Sequence, residues 1–321
     1  MNHKILIITN KKDYTTDFVI RRLHERNINF FRLNTEDFPL KYFSSINISN
    51  KKFNIELKSN KESINFEQIK GIWYRRPVKP LFSEIILSND DKEFAIRESS
   101  EFLNNLWIIL DHKNWVSTPN SLRIAERKAY QLKKAVEVGF NIPLTSISND
   151  AELLLDHYIN LKKQVVVKPI SHGDFCNGEF AIFTNDLSTS NSLPDFHLAH
   201  LSPLILQKKI EKIFDIRTTA FGNAIFSFEI KHKNNLKILD WRILNPNELE
   251  YKQIDTPRII KEKILNLMNL LGISFGAFDF AYTKSKNWIF LEVNPNGQWA
   301  WLEQITGVCM TDSLIDLLLS G

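Results

Sequence analysis

Cysteine, glycine and long apolar runs are all scarce in this chain. Two cysteines, Cys176 and Cys309, occur in 321 residues and sit far apart. That pair makes neither a disulfide framework nor a cysteine-based metal motif, and it fits a reducing compartment. The 10 glycines and 11 prolines form no low-complexity segment, and no internal repeat is visible. The apolar run in the opening MNHKILIITN is too short for a signal peptide or a membrane span. It reads as a first buried strand, so the expected location is cytoplasmic with no membrane partner. Charge of one sign is also lacking: the net charge of +4 is too small to argue for nucleic acid. Lysines and acids are interspersed, the pattern of a solvated face. The phosphate-cradling motif GxxxxGK[ST] is absent.

What is present is a globular composition, 43% apolar and 24% charged. The length predicts two or three structural units. Ile5–Thr9 reads as a strand, residues 16–26 as a helix, and Phe30–Leu33 as the next strand, a parallel βαβ spacing. Phe53–Lys58 and Gly71–Tyr74 read as strands, and Glu93–Leu110 has helical periodicity. A loop containing Thr118-Pro119-Asn120 reads as a boundary. Ser121–Val138 reads as one helix ending at Gly139. Further strands are expected at residues 164–169 and 204–208, with a glycine-bearing loop at 171–179 between strands. Gly222-Asn223 signals a hairpin between Ile213–Phe221 and Ala224–Lys231, and helices are expected at 258–271 and 311–319.

The chemically informative segment is FGAFDFAYTKSKNWIFLEVNPNGQWAWLE, Phe275–Glu303. Two apolar runs flank a polar turn at 283–287, which predicts a β-hairpin. Each run carries an acid where a buried strand should have none: Asp279 between two phenylalanines, and Glu292 after Ile289–Leu291. A lone carboxylate in such surroundings is costly unless something positive neutralises it. Glu292 and Asn294 share a face, and the short turn brings Asp279 opposite Glu292 to within one step of register. Three hard oxygen donors without His or Cys suit Mg²⁺. The alternative is a structural carboxylate capping the Asn-Pro-Asn-Gly turn.

Positive groups recur elsewhere. Lys168 ends the apolar strand VVVK and needs an anion, unless it snorkels to the surface. Lys128 lies in a helix and is unremarkable alone. Arg217, two residues after Asp215, is either half of an ion pair or a planar fork for a phosphate or carboxylate. Asp240 and Arg242 repeat that spacing. Arg75 and Arg76 have no evident role beyond a charged strand end.

In order along the chain, ILIITNKKD, FRLNTEDFP, WYRRP, KAYQLKKAVEVGFNIP, VVVKP, LQKKIEKIFDIRTTAFG, LDWR and FLEVNPNGQWAWLE resemble the landmarks of the ATP-grasp carboxylate ligases. Over its whole length the chain most resembles the graspetide macrocyclases, which mature microviridin-type ω-ester and ω-amide peptides. The resemblance implies a mixed α/β (α+β) ATP-grasp fold. An N-terminal α/β pre-ATP-grasp domain would span 1–117, a small central domain 118–206, and a C-terminal antiparallel-sheet domain 207–321. It implies that Lys128 and Lys168 hold the ATP phosphates. Gln207, Lys209 and Ile210 would lie on the adenine-side hinge strand, with Lys212 also near the nucleotide. Arg217 would contact the transferred phosphoryl group, and Asp279, Glu292 and Asn294 would carry Mg²⁺. Asp240 and Arg242 fall on the substrate side. Lys208 stands where many relatives have Glu.

The implied reaction is activation of Asp or Glu side chains of a ribosomal precursor peptide as acyl phosphates, followed by ester or amide ring closure. A leader segment of that precursor would dock, with the hairpin Ile213–Lys231 and its basic strand end as a surface for it. A homodimer is compatible with the resemblance. An intermolecular ligase adding amino acids and a non-catalytic nucleotide-binding scaffold remain the alternatives.

Overall fold

The computed structural model describes residues 4–83, 88–171, 174–175, 180–181, 184–189 and 193–320. Two compact units emerge: residues 1–122 with 273–275 and 298–321, and residues 123–272 with 276–297. No helix among the described residues is long and apolar enough to cross a membrane.

In the first unit, β1 (Ile5–Thr9) is buried at every position, α1 (Tyr14–Glu25) follows, and β2 (Phe30–Asn34) pairs parallel to β1. An antiparallel three-stranded sheet of β3 (Tyr42–Ile48), β4 (Phe53–Ser59) and β5 (Ser63–Ile64) comes next. Then come β6 (Gly71–Tyr74), α2 (Asn89–Ile109) and β7 (Asn114–Val116). The main sheet has order β2-β1-β6-β7 and is parallel throughout. Continuous apolar strands suit a parallel sheet, and Leu6, Ile8, Phe31, Ile72, Leu106 and Trp107 form its core. Arg75 gains a role here. Its Nε lies 3.3 Å from Asp13 Oδ2 with both side chains buried, and Asp13 Oδ1 also accepts from Thr15 N to cap α1.

The chain departs from expectation at residues 119–138. Pro119 opens a helix, α3 (Pro119–Ala125), where a loop was expected, because Pro suits a first helical turn and Thr118 Oγ1 accepts from Ser121 N. The single helix expected from Ser121 is interrupted. Arg127 is extended (φ −77°, ψ 100°) and α4 starts at Lys128 (Lys128–Glu137). The carbonyl freed at Ala125 is taken by the side chain of Gln131.

The second unit continues with β8 (Thr145–Ser148), α5 (Ala151–Asn160), β9 (Val165–Lys168), the short β10 (Asp174–Phe175), β11 (Phe180–Ala181) and β12 (Asn185–Asp186), and β13 (Leu204–Lys208). Strands β12-β9-β13-β8 form an antiparallel sheet. Most of the glycine-bearing loop at 171–179, with Cys176, lies outside the described residues. Next come β14 (Lys212–Phe221), β15 (Ala224–His232), β16 (Leu249–Ile254), α6 (Arg258–Leu271), β17 (Phe275–Thr283) and β18 (Trp288–Asn294). The five-stranded sheet runs β16-β15-β14-β17-β18. Ile260, Ile264, Leu267, Met268 and Leu271 recur at helical spacing and are the buried side of α6. On the last hairpin Phe278, Phe280 and Phe290 are fully buried, and Phe140 stacks on Phe290 at 5.4 Å.

The chain then returns to the first unit with α7 (Ala300–Thr306) and α8 (Thr311–Leu319). Arg22 of α1 holds Asp312 through two bonds of 2.9 and 2.7 Å, and Asn114 Nδ2 donates to Leu317 O at 2.9 Å. Gly71 has to be bare: a Cβ there would sit 2.1 Å from Leu318 O.

Candidate active site

The β17–β18 hairpin pairs Asp279 directly with Glu292 and Ala277 with Asn294. Beyond Asp279 the register shifts by one, Phe280 pairing with Phe290, so Leu291 is the extra residue of a β-bulge. Directly opposed residues share a face, and Glu292 and Asn294 are two apart, so the three oxygen-bearing side chains gather on one side. Gln131 fixes this strand from α4. Its Nε2 donates to Val293 O at 2.8 Å and its Oε1 accepts from Val293 N at 3.1 Å. A side-chain amide thus does the work of a neighbouring strand, a role the helical pattern around Gln131 did not signal.

Two like charges placed opposite each other destabilise a sheet unless countered. Two arginines counter them. Arg217 NH1 lies 2.9 Å from Asp279 Oδ2, and Arg242 NH1 lies 2.9 Å from Glu292 Oε1. Arg242 also grips Asp240 bidentately, at 2.8 and 2.7 Å. Gly297 makes room for this arrangement. A Cβ there would approach Ala277 Cβ to 2.5 Å and Arg217 NH2 to 2.7 Å. Asp279 Oδ1 is buried without a hydrogen-bond partner, and Asn294 Oδ1 accepts from Asn296 N at 3.0 Å. An orphaned carboxylate oxygen beside a second carboxylate and an amide oxygen fits a hard divalent cation such as Mg²⁺. No cluster of three His, Cys, Asp or Glu side chains occurs among the described residues.

These groups open onto a cavity of about 530 Å³ within the second unit. Lys168, Gln207, Lys209, Ile210, Lys212, Asp240, Arg242, Asp279 and Glu292 all line it. Lys128, Arg217 and Asn294 are not on its wall, although Arg217 adjoins it through Asp279. Lys128 Nζ donates to Pro169 O at 2.7 Å and Ser171 O at 2.9 Å. Lys168 Nζ donates to Gln207 Oε1 at 2.9 Å. Lys209 is held by Asp186 and Ser188, and Lys212 by both oxygens of Asp215 and by Leu239 O.

Burial and charge pull these groups apart in acidity. Burial raises the Asp279 carboxyl above its usual range despite Arg217. Burial works the same way on Glu292, but Arg242, Lys168 and Lys128 outweigh it and hold Glu292 below the usual range. Lys168 and Lys128 are both lowered by burial, against the pull of Glu292. Asp215 is pushed up to about 6 by burial, against Lys212. The site therefore holds buried positive charge that an anionic ligand would satisfy.

The hairpin Ile213–Lys231, expected as a docking surface for a leader, forms β14 and β15. Strands β14 and β15 are interior to the five-stranded sheet, flanked by β17 and β16. At the basic strand end Lys231 lies 3.3 Å from Glu229 and 3.5 Å from Glu250, His232 is buried, and Lys233 is exposed.

Macrocyclase MdnC from Microcystis aeruginosa MRC, solved bound with its precursor peptide MdnA, superposes with a TM-score of 0.85. Its identity is 24%, covering 99% of this chain and 100% of that one. The chain has the ATP-grasp fold. A RiPP-associated ATP-grasp ligase from Chryseobacterium gregarium, in complex with ADP and a leader and core peptide, matches at TM-score 0.84 and 25% identity, covering 98% and 96% of the two chains. The ATP-grasp ligase PsnB, complexed with a minimal precursor, Mg and ADP, matches at TM-score 0.76 and 16% identity over 98% of each chain. Residues 4–123 match the family model described as the MvdD pre-ATP grasp domain. No curated protein matches the sequence.

Proposed function

We propose that this ATP-grasp chain is an ATP-dependent carboxylate ligase that closes side-chain macrocycles in a ribosomal precursor peptide. The observation that carries the reading is the opposed Asp279–Glu292 pair, which lines one cavity with Arg242 and Lys168 and is neutralised by Arg217 and Arg242. Support comes from the similar structures, whose complexes hold precursor peptides, ADP and, in PsnB, Mg.

Lys128 and Lys168 hold the phosphates of ATP, and the strand end Gln207–Ile210 with Lys212 lies along the nucleotide. Asp279, Glu292 and Asn294 would hold Mg²⁺, which when bound neutralises charge on the phosphates. A substrate Asp or Glu carboxylate attacks the γ-phosphorus, the bond to ADP breaks, and Arg217 stabilises the transferred group. Asp240 aligns Arg242 on the substrate side. A Ser or Thr hydroxyl, or a Lys amine, of the same peptide then attacks the acyl carbonyl. It loses its proton, and phosphate leaves.

We place a pre-ATP-grasp domain at 1–117, a central lobe at 118–206 and a C-terminal lobe at 207–321; the two separate sheets of the second unit support the split between the lobes, while residues 298–321 pack with the first unit. Cytoplasmic residence and a homodimer belong to the same proposal.

The test supplies purified protein with ATP, Mg²⁺ and a candidate precursor, a short neighbouring reading frame rich in Thr, Ser or Lys and in Asp or Glu. Mass spectrometry should show one water lost per ADP released. A leaderless core peptide should react far more slowly at low concentration, because docking raises the effective concentration of the reacting groups to about millimolar. ADP release that tracks addition of free amino acids, with no dehydration, would replace this reading with an intermolecular ligase.

A further inference from the structure

Gln207 is 3% exposed and faces the cavity from β13. The antiparallel register sets it opposite Thr145 on one side and opposite Val166 on the other, with Lys168 two residues along the same strand. Thr145, Gln207 and Lys168 therefore project from one face across three strands. Their hydrogen bonds form a directed chain. Thr145 has a single hydroxyl proton, and it goes to Pro143 O at 2.7 Å. Towards Gln207 that oxygen can only accept, and it does so from Nε2 at 2.9 Å. The amide nitrogen is thereby turned to Thr145 and the amide oxygen to Lys168, whose Nζ donates to it at 2.9 Å.

We propose that Gln207 is a positioning residue for Lys168, its amide anchored by Thr145 so that the lysine ammonium is presented to the cavity, and that its side chain does not read the nucleobase. The inference rests on the reading of Lys168 as a phosphate ligand. The chemistry explains why an amide serves here. A neutral acceptor orients an ammonium and leaves its full charge for phosphate oxygens, whereas a carboxylate at 207 would neutralise it. With one proton committed to Gln207, Lys168 keeps two donors for a ligand. The neighbouring Lys208 side chain is exposed, on the opposite face of the strand.

Three variants test this: Gln207→Leu, Gln207→Glu and Thr145→Val. Two readouts are used: the affinities for ADP and GDP by calorimetry, and the pH dependence of Lys168 acetylation mapped by peptide mass spectrometry. Gln207→Leu should weaken ADP about tenfold, the size of one hydrogen bond to a charged group, with the ADP-to-GDP ratio unchanged. Its Lys168 amine should titrate at lower pH than in the wild type. Gln207→Glu should also weaken ADP, but shift the Lys168 titration to higher pH. Thr145→Val, nearly isosteric, should follow Gln207→Leu more mildly. A general loss of packing would not move Lys168 in opposite directions in the two Gln207 variants. Loss of ADP-over-GDP preference in Gln207→Leu would overturn the proposal and put the side chain on the base. An unmoved Lys168 titration in both Gln207 variants would also overturn it. Because acetylation needs no nucleotide, the relay and the ATP reading fail separately.

Discussion

Replacing Asp279 separates a functional carboxylate from a structural one. In Asp279→Asn the side-chain shape is kept and an amide oxygen still accepts from Arg217, but the charge is gone. Two contributions then oppose each other. At neutral pH burying the ionised carboxyl costs the fold, so removing its charge stabilises. Against this, Arg217 loses the counter-ion 2.9 Å away, a gross attraction of about 6 kcal/mol at an effective dielectric of 20. Arg242 and Glu292 also act on this carboxyl, so neither contribution stands alone. We expect the two to cancel to within about 1 kcal/mol, a shift in Tm of about 2–4 °C in either direction. Asp279→Ala removes the acceptor as well and should cost about 3–5 kcal/mol, as for other broken buried pairs. Turnover should fall at least about 100-fold in both, equivalent to about 2.7 kcal/mol of transition-state stabilisation. Thermal unfolding without ligands, together with precursor dehydration followed by mass spectrometry, reads both quantities. An Asn variant that is as unstable as the Ala variant yet turns over normally would refute the reasoning and make Asp279 a packing carboxylate.

Arg217→Lys keeps the charge and loses the planar fork; ADP affinity should stay within a few-fold while turnover drops sharply, and a collapse of affinity would move Arg217 into the nucleotide pocket. Asp215 titrates at about 6 in the fold against 3.8 ordinarily, so its ionisation should cost the fold about 3 kcal/mol as pH rises from about 4 to about 6. Urea midpoints for Asp215→Asn should lack that fall, and an unchanged pH profile would count against it. Gly297→Ala forces a methyl group against Ala277 and the Arg217 guanidinium, and should lower turnover more than Tm.

Local pattern carried much of this fold. Helix Arg258–Leu271 and strand Gly71–Tyr74 match their sequence-based bounds because apolar spacing and flanking turns agree there. The β17–β18 hairpin was legible for the same reason, and its short turn limited the register closely enough to bring the two acids together. What stayed hidden depends on partners distant in sequence. The break at Arg127 is visible only once Gln131 is seen bonding to Ala125 and Val293. Arg75 read as no more than a charged strand end until Asp13, just past the end of the neighbouring parallel strand β1, was seen to meet it. Edge strands such as Thr145–Ser148, TSIS, are too short and too polar for their pattern to distinguish them from a loop. Ion pairs from Arg217 and Arg242 to opposite strands of one hairpin cannot be assigned from residue spacing alone.

The close fit of Gly71 under Leu318 has a consequence for synthesis. The central sheet of the first unit is made from the first strands to leave the ribosome, yet one of its faces is covered by α8. The second unit intervenes in the sequence. About 200 residues, or some 10–40 s of translation at about 5–20 residues per second, separate β7 from the helix that completes its sheet. During that interval Trp73, with Ile5 and Ile7 beside it on the same face, lies on a sheet still lacking its covering helix, so the nascent chain is a natural client for a chaperone. A ribosome stalled before Thr311 should display a first unit that is far more sensitive to protease than the same residues in the finished protein.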